Sequence, residues 1–446
     1  MLVLALATLM PACSESQPTD TGPARNVVLV SLDTLRADHL GLYGYARDTS
    51  PELDAFAQEA FVFGRALAPA PNTPPSQMAM MTGLYPGRHG FTGNDDTLGP
   101  GIETLALRLR AAGVRTAGFV DGGYLRAFFG FDRGFEHYDD DGGGFAEILP
   151  KARQWLDAHG EEPFFLFLHS YDVHAPYVSP PPFEGMFHDQ PYTGDLVPTS
   201  ERIDTIWREK VALTAAEMQH LVDSYDEGIR YTDDRLGAFL RHLEELGRLD
   251  DTLVIVTSDH GEEFGEHGSV HHWQLYFQPN LRVPLIVRPP GGVAGPVRIA
   301  AQAELIDVLP TVLAWVGAES LAAAQGRSLL PLLAPDAAAA PGGRERAAFA
   351  WWPDPEQLPL RSLVLGDHQL LFNELLPGRD ELYDLAADPM GQRDLAAEQP
   401  ERVARLRELG LQGMQDNAPI HAERTRPRMK LDRKTQEQLK ALGYQQ

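Results

Sequence analysis

Asp259 and His260 follow the apolar run Leu253–Val256 after Thr257-Ser258, inside Thr252–Glu263, TLVIVTSDHGEE. A carboxylate beside an imidazole is a ligand pair for a divalent ion. A β-branched run stopped by Gly261 has the pattern of a buried strand. A second such run, Asn26–Leu32, NVVLVSL, ends in Asp33. A third, Pro163–Leu168, PFFLFL, ends in His169, with Asp172 and His174 close behind. Thr73 precedes Pro74 and Pro75, which suit a first helical turn, so its hydroxyl is expected at or near a helix N-cap in the positive field of the helix start. Open α/β sheets place their sites past the carboxyl ends of their strands. Asp33, Thr73, Asp259-His260 and the His169/Asp172/His174 group can therefore converge on one site. Such oxygen and nitrogen ligands suit Mn, Zn or Mg better than thiophilic ions.

The elements that must position these residues are legible as alternating strand and helix patterns. Ser50 caps a helix from Pro51 through Glu59, and Phe61–Ala66 is a short strand. Helices are expected at Gly101–Gly113, Glu147–His159 and Asp307–Gly317, with strands at Arg115–Val120 and Leu281–Val287. Ala215–Leu246 is a long amphipathic helix: Leu221, Tyr225, Ile229, Leu236 and Leu243 recur at helical spacing, and Gly247 stops it. Pro180–Thr199 reads as a Pro-rich surface insertion, and Pro331–Gly343 as a boundary. Beyond it, Ala347–Trp352, Ser362–Leu365, Gln369–Asn373 and Glu381–Asp384 are short strands at hairpin spacing, followed by a helix at Pro400–Leu409. The expected fold is α/β: a large mixed, mostly parallel sheet flanked by helices, with a smaller C-terminal antiparallel sheet. The expected divisions are a leader and tether over 1–24, a catalytic domain over 25–335 and a C-terminal subdomain over 345–446.

With 446 residues and a formal net charge of −25, the chain can bury a large core and repels phosphate backbones, which argues against nucleic acid as a partner. Its single cysteine, Cys13, excludes an intramolecular disulfide and a cysteine-based zinc site. Leu9-Met10-Pro11-Ala12-Cys13 has the form of a bacterial lipobox after a short apolar run, and polar Ser14–Pro23 follows as a tether. No Lys or Arg precedes the apolar run, which departs from the signal-peptide pattern. The expectation is a cell-envelope protein lipidated at Cys13, touching the membrane only through that anchor. Arg36 and Asp38 read as braces of the first loop and Asp139–Asp141 as a solvated acidic loop. Trp351-Trp352 reads as packing or a sugar platform, and His267 as a loop histidine or a neighbour of the metal.

The ordered blocks NVVLVSLDTLRADHLGLYGY (Asn26–Tyr45), TPPSQMAMMTGLYPGRHG (Thr73–Gly90), HSYDVHAPY (His169–Tyr177), SDHGEEFGEHG (Ser258–Gly268) and LRVPLIVRPPG (Leu281–Gly291) resemble the sulfatase family of the alkaline phosphatase superfamily. GRSLLPLL and ELYDLAADP extend the resemblance towards the C-terminus. It implies an alkaline-phosphatase-like fold and a covalent mechanism in which a metal-bound nucleophile displaces an ester oxygen from sulfur or phosphorus. It implies Asp33, Asp259 and His260 as metal ligands, Thr73 at the nucleophile position and His174 as a substrate contact. His271 or His272 would assist the leaving group; the spacing leaves the choice between them open.

The departures from that family pattern carry information. Sulfatases have Cys or Ser, oxidised to formylglycine, where this chain has Thr73. Threonine cannot become that aldehyde, so no formylglycine is expected. Gln77 stands where the family has Arg, which makes it a candidate substrate contact, and Thr34 replaces the second Asp of the usual pair. A Gly-Lys-Trp-His block is absent, with Phe119–Gly122 in its place. A bare Thr hydroxyl needs metal coordination to react near neutral pH. The expected cofactor is thus a divalent ion (Mn, Zn, Ca or Mg). The expected substrate is a small anionic ester, on a glycan or lipid head group, with phosphodiester or phosphonate esters favoured and sulfate esters still open. Two other readings compete: a catalytically inactive lipoprotein that binds a glycan or an envelope partner, and an envelope phosphotransferase.

Overall fold

Asn26–Leu32 forms the strand on which the molecule is built, and all seven of its residues are buried. Its apolar run serves two cores at once. Val28, Val30 and Leu32 face one hydrophobic cluster and Val27 and Leu29 the other, as strand alternation requires. On either side it pairs in parallel, Val28 opposite Leu166 of Phe164–Ser170 and opposite Val254 of Thr252–Thr257. This computed structural model describes residues 26–91, 96–273, 276–334, 346–351, 360–417 and 431–443; Cys13 and Trp352 lie outside the described residues.

The large sheet has eight strands in the order Val297–Ile299, Phe61–Phe63, Leu285–Arg288, Thr252–Thr257, Asn26–Leu32, Phe164–Ser170, Arg115–Phe119, His137–Asp139. Leu285–Arg288 runs antiparallel to both its neighbours, and the other pairings are parallel. Side chains of Gly144–His159 and Ala215–Glu245 fill the core on one face. Those of Thr73–Thr82, Leu105–Ala111 and Val308–Trp315 fill it on the other. Ala66–Leu67, Arg282–Val283 and Ala303–Glu304 make a small second sheet.

A third sheet is antiparallel throughout: Ala348–Trp351, Leu360–Leu365, His368–Asn373 and Glu381–Asp384. The helix Pro400–Asp416 covers it, with Leu406 against Leu363, Leu370 and Phe372. A Cβ on Gly410 would come 2.5 Å from the Phe372 ring, so this helix–sheet approach requires glycine. The fold class read from the sequence is thus the one observed.

Several local expectations change. Ser50 occupies the N-cap position, but its hydroxyl binds the Gly41 N–H and Asp54 instead of the first helical turn. The short strand expected at Phe61–Ala66 is two strands in two sheets, interrupted at Gly64-Arg65. Asp139–Asp141 is not a bare solvated loop: Asp139 ends an edge strand and binds Lys151, and Asp141 binds Lys434. Trp351 packs its ring against Gly87 and under the Arg361 guanidinium at 4.2 Å, so packing prevails over a sugar platform. Ser200–Glu209 and Arg433–Ala441 are helices that the sequence reading did not assign. The second of these returns to the large domain, where Leu439 joins its core.

Candidate active site

The site lies past the carboxyl ends of the three central strands. The Asp33 N–H donates to the Ser170 carbonyl at 3.0 Å, extending the pairing one residue beyond the strand. Thr34, at φ 58°, then turns the chain aside, and its carbonyl accepts the Tyr225 hydroxyl at 2.7 Å. Arg36 is buried and fully engaged, with two bonds to Asp38 and one each to Glu266 and the Glu262 carbonyl. It braces the loop, as the sequence suggested.

After Thr252–Thr257 the chain passes so close to Pro279 that a Cβ on Gly261 would lie 2.0 Å from the Pro279 carbonyl oxygen. Only glycine fits there, and this passage holds Asp259-His260 in place. Thr73 is the first residue of the buried helix Thr73–Thr82, with Asn72 rather than Thr73 at the cap. Ser76 donates to the Asp259 carbonyl at 2.6 Å and ties the helix start to the ligand loop.

The four expected ligands meet. Thr73 Oγ1 donates to Asp33 Oδ2 at 3.0 Å and lies 3.3 Å from His260 Nε2. His260 Nε2 is 3.6 Å from Asp259 Oδ2 and 4.0 Å from Asp33 Oδ1. All four side chains are buried. Burial, then the neighbouring Asp259 carboxylate, pushes the Asp33 carboxyl well above its ordinary range. Burial alone would lower the His260 imidazole, but Asp259 and Asp33 outweigh it and raise it.

These residues fit a divalent ion. Asp33 Oδ1 and Asp259 Oδ2 are buried with no hydrogen-bond partner, a costly state that an ion relieves. His260 Nδ1 lies 2.9 Å from the Gly261 carbonyl, which fixes the proton there and turns a bare Nε2 towards the carboxylates. Asp33, Asp259 and His260 each offer one ligand atom within 4.8 Å of the others.

The histidines gather beside this centre. His174 holds its Nδ1 2.6 Å from the Ala175 carbonyl, and its ring is 5.3 Å from that of His272. The His272 ring is 4.4 Å from the His260 ring and 4.2 Å from that of His271. Burial pushes His174, His271 and His272 down; for His271 the His272 charge adds to it, and for His272 the charges of His260 and His174.

Three further residues singled out in the sequence have other partners. Gln77 is buried one turn along the helix and gives its Nε2 to Ser31 at 2.7 Å, while its Oε1 is buried with no hydrogen-bond partner. Asp172 accepts from the Phe145 N–H at 2.7 Å and from Ser170, holding the start of Gly144–His159. His267 is bound between Glu263 and the Gly391 carbonyl and stacks on Phe277 at 3.5 Å, joining the two parts of the molecule.

Glu262 and Tyr177 were not singled out from sequence. Both stand inside motifs read there, two residues past His260 and three past His174. Their pairing, Tyr177 hydroxyl to Glu262 Oε2 at 2.9 Å, is a tertiary contact that no local pattern announces. His169 is buried with its Nε2 3.4 Å from Asp33 Oδ2, and burial lowers it to about 4.

A large, mostly parallel sheet flanked by helices, with a separate small antiparallel sheet, is the architecture of the alkaline phosphatase fold. Solved neighbours agree. One, a protein in complex with its substrate D-glucosamine-2-N,6-O-disulfate, has TM-score 0.75 at 21% identity, covering 88% of this chain and 98% of that one. The phosphonate monoester hydrolase of Agrobacterium radiobacter has TM-score 0.72 at 21% identity, covering 88% and 96%. The sulfatase family profile matches residues 25–318, and this chain belongs to that family. The profile of the N-sulphoglucosamine sulphohydrolase C-terminal region matches residues 265–409. Among curated relatives, a multifunctional alkaline phosphatase superfamily protein of Trinickia caryophylli is 27% identical over 70% of this chain and 77% of its own length. The N-acetylglucosamine-6-O-sulfatase of Bacteroides thetaiotaomicron is 24% identical over 95% and 92%.

Proposed function

We propose that this protein is a divalent-metal-dependent hydrolase of sulfate, phosphate or phosphonate esters in which Thr73 is the nucleophile. Family membership, with relatives named for sulfate and phosphonate ester hydrolysis, supports the reaction class. The observation that carries the rest is the position of Thr73 Oγ1, 3.0 Å from Asp33 and 3.3 Å from a bare His260 nitrogen. Asp33, Asp259, His260 and Thr73 would hold the ion, whose charge makes an alkoxide accessible near neutral pH. The helix that begins at Thr73 adds the field of its N-terminus.

Thr73 Oγ1 then attacks sulfur or phosphorus, the bond to the leaving oxygen breaks, and water cleaves the Thr73 ester. His174, whose Nδ1 lies against the Ala175 carbonyl and whose ring is 5.3 Å from that of His272, would hold a substrate oxygen. Gln77 in place of a cation, with its Nε2 bound to Ser31, favours the phosphodiester or phosphonate ester side of the range.

The test is hydrolysis of matched aryl sulfate, aryl phosphodiester and aryl phosphonate esters by metal-loaded protein. Thr73→Ala serves as control. Turnover lost in the variant assigns the nucleophile and names the ester. Activity unchanged by the variant refutes Thr73. Transfer that requires an acceptor alcohol would make the protein a phosphotransferase. Absence of both turnover and stoichiometric metal would leave the glycan- or partner-binding reading. An envelope location is part of the proposal, and detergent-phase partitioning abolished by Cys13→Ser checks the lipid anchor.

A further inference from the structure

The sequence leaves His271 and His272 equivalent; their surroundings do not. His272 Nδ1 lies 3.1 Å from Glu262 Oε1, while Glu262 Oε2 accepts the Tyr177 hydroxyl at 2.9 Å. Both carboxylate oxygens are therefore committed, and Glu262 is fully buried. His272 Nε2 is buried without a hydrogen-bond partner, on a ring 4.4 Å from His260 and 5.3 Å from His174. It is an orphaned nitrogen among the groups around Thr73. His271 is spent differently: Nδ1 accepts the His272 backbone N–H at 2.8 Å, and Nε2 faces the Trp273 indole N–H at 3.2 Å. Its backbone sits at φ 80°, a conformation non-glycine residues rarely adopt, as the chain turns to seat His272.

We propose that Glu262, locked by Tyr177, fixes the orientation and tautomer of His272, so that His272 and not His271 presents a ring nitrogen to the leaving group. The inference rests on the hydrolase reading above. It adds two positioning residues, Glu262 and Tyr177, and resolves the choice between neighbouring histidines. As the Thr73 Oγ1–phosphorus or –sulfur bond forms, the proton of the Thr73 hydroxyl passes to the bare His272 Nε2, and as the bond to the leaving oxygen breaks that oxygen takes the proton from there. Glu262 keeps the Nδ1–H in hydrogen bond throughout. When water attacks, its oxygen bonds to phosphorus or sulfur and one of its protons goes to Nε2; the bond to Thr73 breaks and Oγ1 takes that proton back, which restores both residues.

The carboxylate does for His272 what second-layer acceptors do for ligand histidines: it selects which nitrogen is bare. Glu262, His271 and His272 also lie close enough together to hold a cation. Against that, His271 Nδ1 already takes a backbone N–H, and His272 Nδ1 already meets Glu262.

The test has two arms on the full-length protein. In the first, nitrogen NMR of histidine-labelled protein, with the signal assigned through His272→Gln, reads the tautomer of His272. A protonated Nδ1 in wild type, lost or mixed in Glu262→Gln and partly restored by Glu262→Asp, is expected. An Nε2-protonated ring in wild type, or a ring unmoved by Glu262→Gln, overturns the proposal. This arm needs no turnover, so it stands even where the hydrolase reading fails.

The second arm compares esters of graded leaving-group acidity. His272→Gln should lose about 10²–10⁴-fold in kcat/KM for poor leaving groups and far less for nitrophenol. Tyr177→Phe should show the same trend more weakly. The steep dependence appearing in His271→Gln instead would refute the assignment. Loss of one metal equivalent in Glu262→Gln would also refute it, by making Glu262 a ligand.

Discussion

Asp33 and Asp259 are both fully buried, each with an oxygen that no donor satisfies. Two buried carboxylates repel, so the metal-free protein stores unfavourable charge at its own centre. Asp259→Asn should therefore stabilise the chelator-treated protein, by about 1–3 kcal/mol, while abolishing the gain on adding metal. In wild type the proposed ion would give a gain of about 2.7 kcal/mol at a hundredfold excess over Kd. Thermal melts with and without Mn or Zn read both effects; a variant less stable than wild type without metal would contradict the repulsion. Thr73→Ser keeps a hydroxyl at the helix start and should retain activity to within about tenfold, whereas Thr73→Ala should lose at least about 10³-fold. Steady-state kinetics on the best ester separates them.

At the scale of elements, the helix that carries Thr73 is held by a neighbour that senses acid. His89 ends the short helix Pro86–His89; its Nδ1 accepts the Phe91 N–H at 3.1 Å and its Nε2 donates to the Pro75 carbonyl at 3.2 Å. Burial pushes its pKa down to about 3. An unfolded histidine titrates near 6.5. Between roughly pH 6.5 and 3, the unfolded chain binds a proton that the folded chain refuses. Stability from this residue thus falls as pH falls, by up to about 1.4 kcal/mol per unit, and is unaffected above that window. Urea midpoints across pH should fall less steeply for His89→Gln than for wild type, and parallel curves would refute the idea. The central strands of the large sheet were legible because burial on both faces demands continuous apolar runs, and Asp33, Thr73, Asp259 and His260 were legible because they stand at the ends of those runs and of one helix; the edge strand His137–Asp139 was not. Val297–Ile299 was not, being three residues with an exposed Arg298 in the middle. Ser200–Glu209 was hidden by low apolar content beside a Pro-rich stretch. The fate of Gln77 and the partnership of Glu262 with Tyr177 depend on residues far away in sequence, which periodicity cannot reveal.

For the whole molecule, the helix Arg433–Ala441 matters more than its length suggests. Thr435 and Leu439 are buried, Gln438 donates to the Asp141 carbonyl at 3.0 Å, and Ser200 donates to the Ala441 carbonyl at 2.8 Å. It closes on the corner at Gly123, where an added Cβ would lie 2.8 Å from Leu442 and 2.9 Å from Tyr171. The Tyr171 ring in turn packs 4.7 Å from His169 and 5.7 Å from His174. Leu439→Ala should cost about 2–4 kcal/mol and raise KM through Tyr171 while leaving metal affinity as in wild type. Denaturation, kinetics and metal titration together test that separation. The order of strands has a different consequence, for manufacture. Asn26–Leu32 leaves the ribosome early, yet its two partners are Phe164–Ser170 and Thr252–Thr257. At about 5–20 residues per second, this largely apolar strand waits roughly tens of seconds with both edges open. It is therefore the segment a chaperone would have to guard during synthesis.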